Sequence, residues 1–175
     1  MSSGVNGGAQ IAIRAARPQD AALVFTLVRE LAEYEKLAGE VDTDEAAIAA
    51  ALFAPEPRLF CDIAEHDGQA AGLAMWFLNF STFRGRHGIY LEDIFVRPAF
   101  RGKGIGTALM TRLAQHCVAR GYGRMEWTVL DWNTPSIGFY RSIGALVMDE
   151  WKLCRLTGDA LARFAQTGTP ARTST

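Results

Sequence analysis

One stretch restricts the chain's possible folds more than any other. Residues 89–96 (IYLEDIFV) have the apolar density of a strand buried on both faces. Five residues further on, RGKGIG (101–106) runs without a break into a helical pattern, with Ile105, Leu109, Leu113 and Cys117 four residues apart. A strand, a glycine turn and a helix in immediate succession place a helix N-terminus at the end of a central strand. Glycines there let the backbone approach a ligand closely, and the helix adds roughly half a positive charge, so the turn suits a phosphate or pyrophosphate. The spacing narrows the choice. A Walker loop needs GxxxxGK[ST], which is absent. A dinucleotide fingerprint needs GxGxxG, but its third glycine would fall on Thr107 or Leu109. The pattern present is [QR]-x-x-G-x-[GA], supplied by Arg101, Gly104 and Gly106. The bland alternative is a tight glycine turn with no ligand.

The remaining sequence frames this unit. IAIRAA (11–16) reads as a first strand. Pro18 and Asp20 open a helix whose Val24, Leu27, Val28 and Leu31 follow the i, i+3, i+4, i+7 spacing. Asp42 and Glu45 suggest a capping pair for a second helix, DEAAIAAALF. RLFCDIAE and AAGLAMWFLNFS flank HDGQ as a β-hairpin. RMEWTVLD reads as a strand after the glycine-loop helix. WNTP then opens a helix through Phe139 and Tyr140 with Pro135 in its first turn. ALVMDEWKLCRL reads as a last strand and GDALARFA as a closing helix. The result is a mixed α/β chain: one domain over residues 10–166, with flexible tails at 1–9 and 167–175.

Composition excludes several classes. Of 175 residues, 49% are hydrophobic and the net charge is −1, which fits a globular domain and not a nucleic-acid binder. No apolar run approaches the roughly 18 residues of a membrane helix. The first ten residues lack the basic and apolar regions of a signal peptide, which points to the cytoplasm. Cys61, Cys117 and Cys154 are far apart in apolar surroundings, so buried thiols are expected, with neither disulfides nor a metal site. His66, His87 and His116 are scattered and form no triad. Beneath the small net charge lies an asymmetry. Residues 1–88 carry seven basic and twelve acidic side chains, and residues 89–175 eleven and seven. Much of the acidic excess lies between Glu30 and Glu45, either a solvated helix face or a rim that attracts a cation.

The pattern at Arg101, Gly104 and Gly106 resembles the acetyl-CoA pyrophosphate loop of the GNAT superfamily of N-acetyltransferases. ELAEYEKL, IYLEDIFV, RGKGIG, LDWNTPSIGFY and the glycine of IGA resemble successive blocks of the diamine (polyamine and thialysine) acetyltransferase family, in the family's order, from about Ile11 to Ala165. The resemblance implies a GNAT fold: a mixed, mostly antiparallel central sheet flanked by helices. It implies direct acetyl transfer from acetyl-CoA, without metal, to a primary amine of a small diamine, polyamine or lysine-like molecule in a ternary complex. It also implies a homodimer, with no nucleic-acid or membrane partner.

That chemistry has a proton problem. An alkyl ammonium of pKa about 10.4 is neutral in about one molecule in 2,500 at pH 7, a cost of roughly 4.6 kcal/mol. A base must take a proton from the amine, and the leaving thiolate must gain one. Glu92 interrupts the apolar strand, where a carboxylate is costly unless solvated, paired or functional. The resemblance gives it proton handling and substrate contact. Strict strand alternation would send Asp93 to the opposite face, as a structural hydrogen-bond acceptor. Tyr140 is the general acid of the family's FY pair, with Phe139 free to fill the core. The resemblance places CoA on the backbone of Ile94, Phe95 and Val96, on Arg101, Gly102, Lys103, Gly104, Ile105, Gly106 and Thr107, and on Asn133, Thr134, Pro135 and Ser136. Asn133 also reads as a helix N-cap. Where polyamine enzymes carry a further basic CoA contact, this chain has Ile143. Tyr34, Glu35, Glu126, Trp127 and Thr128 match substrate-contacting segments, the last three with residue types unlike the polyamine branch. A non-catalytic CoA-binding sensor of the same fold and an acetyltransferase of protein or peptide amines are the rival readings.

Overall fold

A computed structural model of the protein describes residues 9–167. The expected tails lie, apart from residues 9 and 167, outside the described residues. The chain gathers into two compact units, Met1–Thr128 and Val129–Thr175, the break falling inside the span read from sequence as one domain.

The first unit is built on five strands: β1 (Ile11–Ala15), β2 (Phe60–His66), β3 (Gln69–Ser81), β4 (Arg86–Val96) and β5 (Met125–Glu126). They lie side by side in chain order. β1 to β4 are successively antiparallel and β5 is parallel to β4. The sheet is therefore mixed and mostly antiparallel, as expected. The β2–β3 connection turns on Asp67 and Gly68, both at positive φ (51° and 76°), the combination that matches the twist of a two-residue hairpin. The strand expected over RMEWTVLD is realised only at Met125 and Glu126.

Three helices cover the sheet: α1 (Ala21–Tyr34), α2 (Glu45–Leu52) and α3 (Ile105–Arg120). The spacing in α1 puts Val24, Leu27 and Leu31 against Cys61, Ile63, Leu73, Met75 and Phe95, with Ile48 and Leu52 of α2. On the other face α3 buries Leu109 and Leu113, and its His116 ring meets Trp76 at 5.0 Å. The start of α1 is tied to the sheet by Arg14, which donates two hydrogen bonds to Asp20 (2.7 and 2.9 Å) and one to Glu65 (2.8 Å). The cap of α2 is Asp44, whose Oδ1 accepts from the Ala47 amide at 2.8 Å. The Asp42–Glu45 pair is thus corrected by two residues, because only a side chain immediately before the first turn reaches its free amides.

The Val129–Thr175 unit contains α4 (Thr134–Ser142) and α5 (Gly158–Gln166). Residues 145–156, read from sequence as a final strand, form no regular structure. A strand needs a neighbour for its backbone groups, and this unit has none among the described residues. Leu146, Trp151, Leu153 and Cys154 are exposed in consequence, so the expected burial of Cys154 is not realised. Cys61 and Cys117 are buried.

β3 and β4 approach too closely at one point for any side chain but hydrogen. A Cβ on Gly72 would collide with the Phe95 carbonyl oxygen. Gly72→Ala should therefore lower the unfolding free energy by about 1–3 kcal/mol, seen as a reduced urea midpoint at unchanged slope. A wild-type midpoint would mean that the two strands separate there without cost.

Candidate active site

The glycine loop takes the conformation that its sequence demands. Gly102 and Gly104 have φ of 74° and 83°, a region closed to most side chains. Gly104 is the residue before the first turn of α3 and offers no side-chain cap, and the first turn holds no acid. The amides of Ile105, Gly106 and Thr107 thus reach an anion without competition from a carboxylate. At Gly106 a Cβ would meet only Val96 Cγ2 at 4.0 Å, so the glycine-or-alanine choice of the pattern has a steric basis. Arg101 is held from two sides. Its Nε donates to the Val96 carbonyl at 3.0 Å, and its guanidinium lies 4.3 Å from the Tyr34 ring centroid. Lys103 lies 5.2 Å from the Phe100 ring. Both cations are exposed at the loop.

β4 supplies the second element. β5 pairs with it only at Ile89 and Tyr90. Beyond them, the β4 edge from Leu91 to Val96 has no neighbouring strand among the described residues. The backbone of Ile94, Phe95 and Val96 borders this open edge, a geometry that suits an extended ligand added in the manner of a strand.

The third element is a β-bulge. Trp76 pairs with Leu91 and the adjacent Met75 with Asp93, which leaves Glu92 as an extra residue on β4. Alternation breaks there. Leu91 lies on the α3 face with Trp76, whereas Asp93 and Phe95 lie on the α1 face with Met75 and Leu73. The expectation that Asp93 turns away from the site rested on unbroken alternation and is corrected. Its expected role as a hydrogen-bond acceptor is not realised either, since it accepts no hydrogen bond from any described residue. Burial pushes the Asp93 carboxyl up to about 6, and the charges of Glu92 and of Glu35 push the same way. Glu35, just past the end of α1, is also raised, by burial alone. Glu92 is exposed. Asp93 thus feels two neighbouring carboxylates, Glu92 and Glu35, and no cation among the groups that act on it. An ionised Asp93 costs the fold on the order of 3 kcal/mol, the kind of cost that a bound cation removes. Two consecutive acids inside an apolar strand were the available signal for Asp93.

Two features fix Glu35. Arg97, just past β4, donates to both oxygens of Glu30 on α1 at 2.8 and 2.7 Å, and to the Ala70 carbonyl at 2.8 Å. Lys36 adopts φ of 62°, a left-handed turn costing about 1–2 kcal/mol in a residue with a side chain, which ends the helix directly after Glu35.

Glu126 stands apart from this cluster. Its Oε2 accepts from Asn79 Nδ2 at 2.6 Å and lies 2.9 Å from Arg124 Nε, so its carboxylate already has partners. Trp127 is half-buried and Thr128 exposed, directly after β5.

In the Val129–Thr175 unit, Asn133 is the N-cap of α4. Its Oδ1 accepts from the Ser136 amide at 3.4 Å, and Thr134 and Pro135 form the first turn. Tyr140 is buried and Phe139 only half-buried, the reverse of the packing expected for the pair. Their ring centroids are 5.5 Å apart.

The sequence profile of the Acetyltransferase (GNAT) family matches residues 24–145. A thialysine N-epsilon-acetyltransferase from Bos taurus is 35% identical over 166 residues, 89% of this chain and 97% of its own. An L-ornithine N5-acetyltransferase from Arabidopsis thaliana is 46% identical over 107 residues, 61% of this chain, and the match spans 47% of that relative's length. Among solved structures, an integron cassette protein from the mobile metagenome of V. cholerae superposes with a TM-score of 0.77 at 26% identity, covering 91% of this chain and all of that one. With 122 of its 175 residues inside the family profile, the chain belongs to the GNAT family of acetyltransferases.

Proposed function

We propose that the protein transfers the acetyl group of acetyl-CoA to a primary amine of a small diamine, polyamine or lysine-like molecule, directly and in a ternary complex. The observation that carries this reading is the acidic cluster of Glu35, Glu92 and Asp93 beside the open edge of β4. It suits a cationic acceptor, and the relatives named for thialysine and ornithine support the same class.

The residues present fit acetyl-CoA. The amides of Ile105, Gly106 and Thr107, with Arg101 and Lys103, would hold its phosphates. The backbone of Ile94, Phe95 and Val96 would pair with its extended arm, and the segment from Asn133 to Ser136 would add further contacts. When bound, acetyl-CoA supplies the activated thioester. Glu35 and Asp93 hold the ammonium group, and Glu92 accepts its proton, directly or through water. Tyr140 donates a proton to the departing thiolate. We further propose a cytoplasmic homodimer. The apolar side chains of Leu146, Trp151, Leu153 and Phe164, exposed in the single chain, support a covering partner copy.

Thiol release from acetyl-CoA over a panel of thialysine, ornithine, diamines and polyamines tests the reaction. Turnover with at least one of them is expected; CoA binding without turnover on any would make the protein a sensor. On the best amine, Tyr140→Phe should lower kcat by about 10- to 10³-fold with CoA affinity kept, and unchanged kcat would remove Tyr140 from the chemistry.

Asp93 makes a second, opposite-signed prediction. The folded carboxyl holds its proton to a higher pH than the unfolded chain does. Its contribution to stability therefore falls as pH rises from about 4 to about 6 and stays lower above that. Asp93→Asn should raise the unfolding free energy at pH 7.5 by on the order of 1–3 kcal/mol, with no gain below about pH 4, and should lower kcat/KM for the amine. A stabilised variant of full activity would show that the cluster is not the amine site.

A further inference from the structure

A cavity of about 450 Å³ lies within the Met1–Thr128 unit, at the end of the sheet where β1 stops and β2 begins. None of the residues assigned to acetyl transfer lines it. Its α3 wall consists of Arg112, His116 and Arg120, roughly 10–22 Å further along that helix than its first turn. The size lies in the range of small-molecule sites.

The walls divide by chemistry. One is aromatic: Phe60 stacks on Trp76 with centroids 4.5 Å apart and 25° between planes, and His116 tilts against both Trp76 and Tyr122. The buried Asp62 is spoken for, because Oδ2 accepts from Trp76 Nε1 at 2.9 Å and Oδ1 lies 3.6 Å from Arg112 Nε. That carboxylate offsets the charge of Arg112. Arg120 has no ion pair among the described residues. His116 is held below its ordinary pKa by burial and by the two arginines, and burial raises the Cys61 thiol to about 12, so neither alters the charge at neutral pH. The cavity therefore carries one uncompensated guanidinium beside a flat apolar wall. A guanidinium is matched by a carboxylate, and stacked rings by another flat ring.

We propose that this cavity binds a small aromatic or heteroaromatic monocarboxylate, its carboxylate on Arg120 and its ring against Phe60, the half-buried member of the aromatic stack. The site is separate from acetyl transfer and does not depend on the acceptor proposed above.

The full-length protein would be titrated with indole-3-carboxylate and 1-naphthoate by ligand-observed NMR, each beside its neutral amide. Dissociation constants on the order of 1 mM are expected for ligands of this size, with the amides about tenfold weaker. Arg120→Ala, at an exposed position outside the acetyl-transfer residues, should weaken carboxylate binding about tenfold and leave thiol release unchanged. Saturating CoA should leave carboxylate binding unaltered. The proposal is overturned if the amides bind as well as the acids, if Arg120→Ala has no effect, if CoA displaces the probes, or if neither acid binds at about 10 mM, tenfold above that scale.

Discussion

The bulge at Glu92 is the constraint on which the rest of the site depends. One extra residue in β4 exchanges the faces of the strand, so that Leu91 packs toward α3 and Phe95, four residues later, toward α1. Without it, Asp93 would share a face with Leu91. With it, Asp93 shares the α1 face with Met75 and is raised by burial and by the charges of Glu92 and Glu35. Such an arrangement opposes folding at neutral pH, and the surrounding structure has to hold it.

The holding structure is concrete. Leu27 and Leu31 of α1 share one buried cluster with Met75 and Phe95, both on the side of the bulge that leads to the glycine loop. The Arg97–Glu30 pair joins the end of β4 to the same helix. At its far end α1 delivers Tyr34 under Arg101 and Glu35 toward Asp93. One helix thus positions a donor-side cation and an acceptor-side carboxylate, and one strand carries both the open edge and the bulge. On the function proposed above, donor and acceptor sites share their supports, although they answer to ligands of opposite charge. The charge asymmetry between the halves of the sequence matches that division: the acidic stretch surrounds the end of α1, and the basic half contains the glycine loop.

Features set by local sequence were legible in advance. The glycines at 102 and 104, the Asp-Gly turn, the α1 spacing and the Asn133 cap each follow from residues within four positions of one another, and each formed. The sheet order followed from hairpins. The bulge was not legible, because it arises from a mismatch between strand positions 15 and 18 residues apart and leaves no trace in either strand alone. The fate of residues 145–156 was hidden for a related reason: a sequence reports a capacity to form a strand, and pairing depends on a neighbour. Tyr140 and Phe139 exchanged burial because adjacent helical residues point about 100° apart, and the sequence alone cannot say which points inward. The family assignment survived all of these differences, since it rests on the loop and the order of the blocks.

On the function proposed above, Asp93 joins Glu92 and Glu35 in one cation site beside the bulge. Carbon-13 NMR titration of carboxyl-labelled protein reads this directly at Asp93. A midpoint near pH 6 is expected, moving down when Glu92 or Glu35 is replaced by Gln. A midpoint near the ordinary aspartate value of about 3.9, unmoved by either replacement, would contradict it.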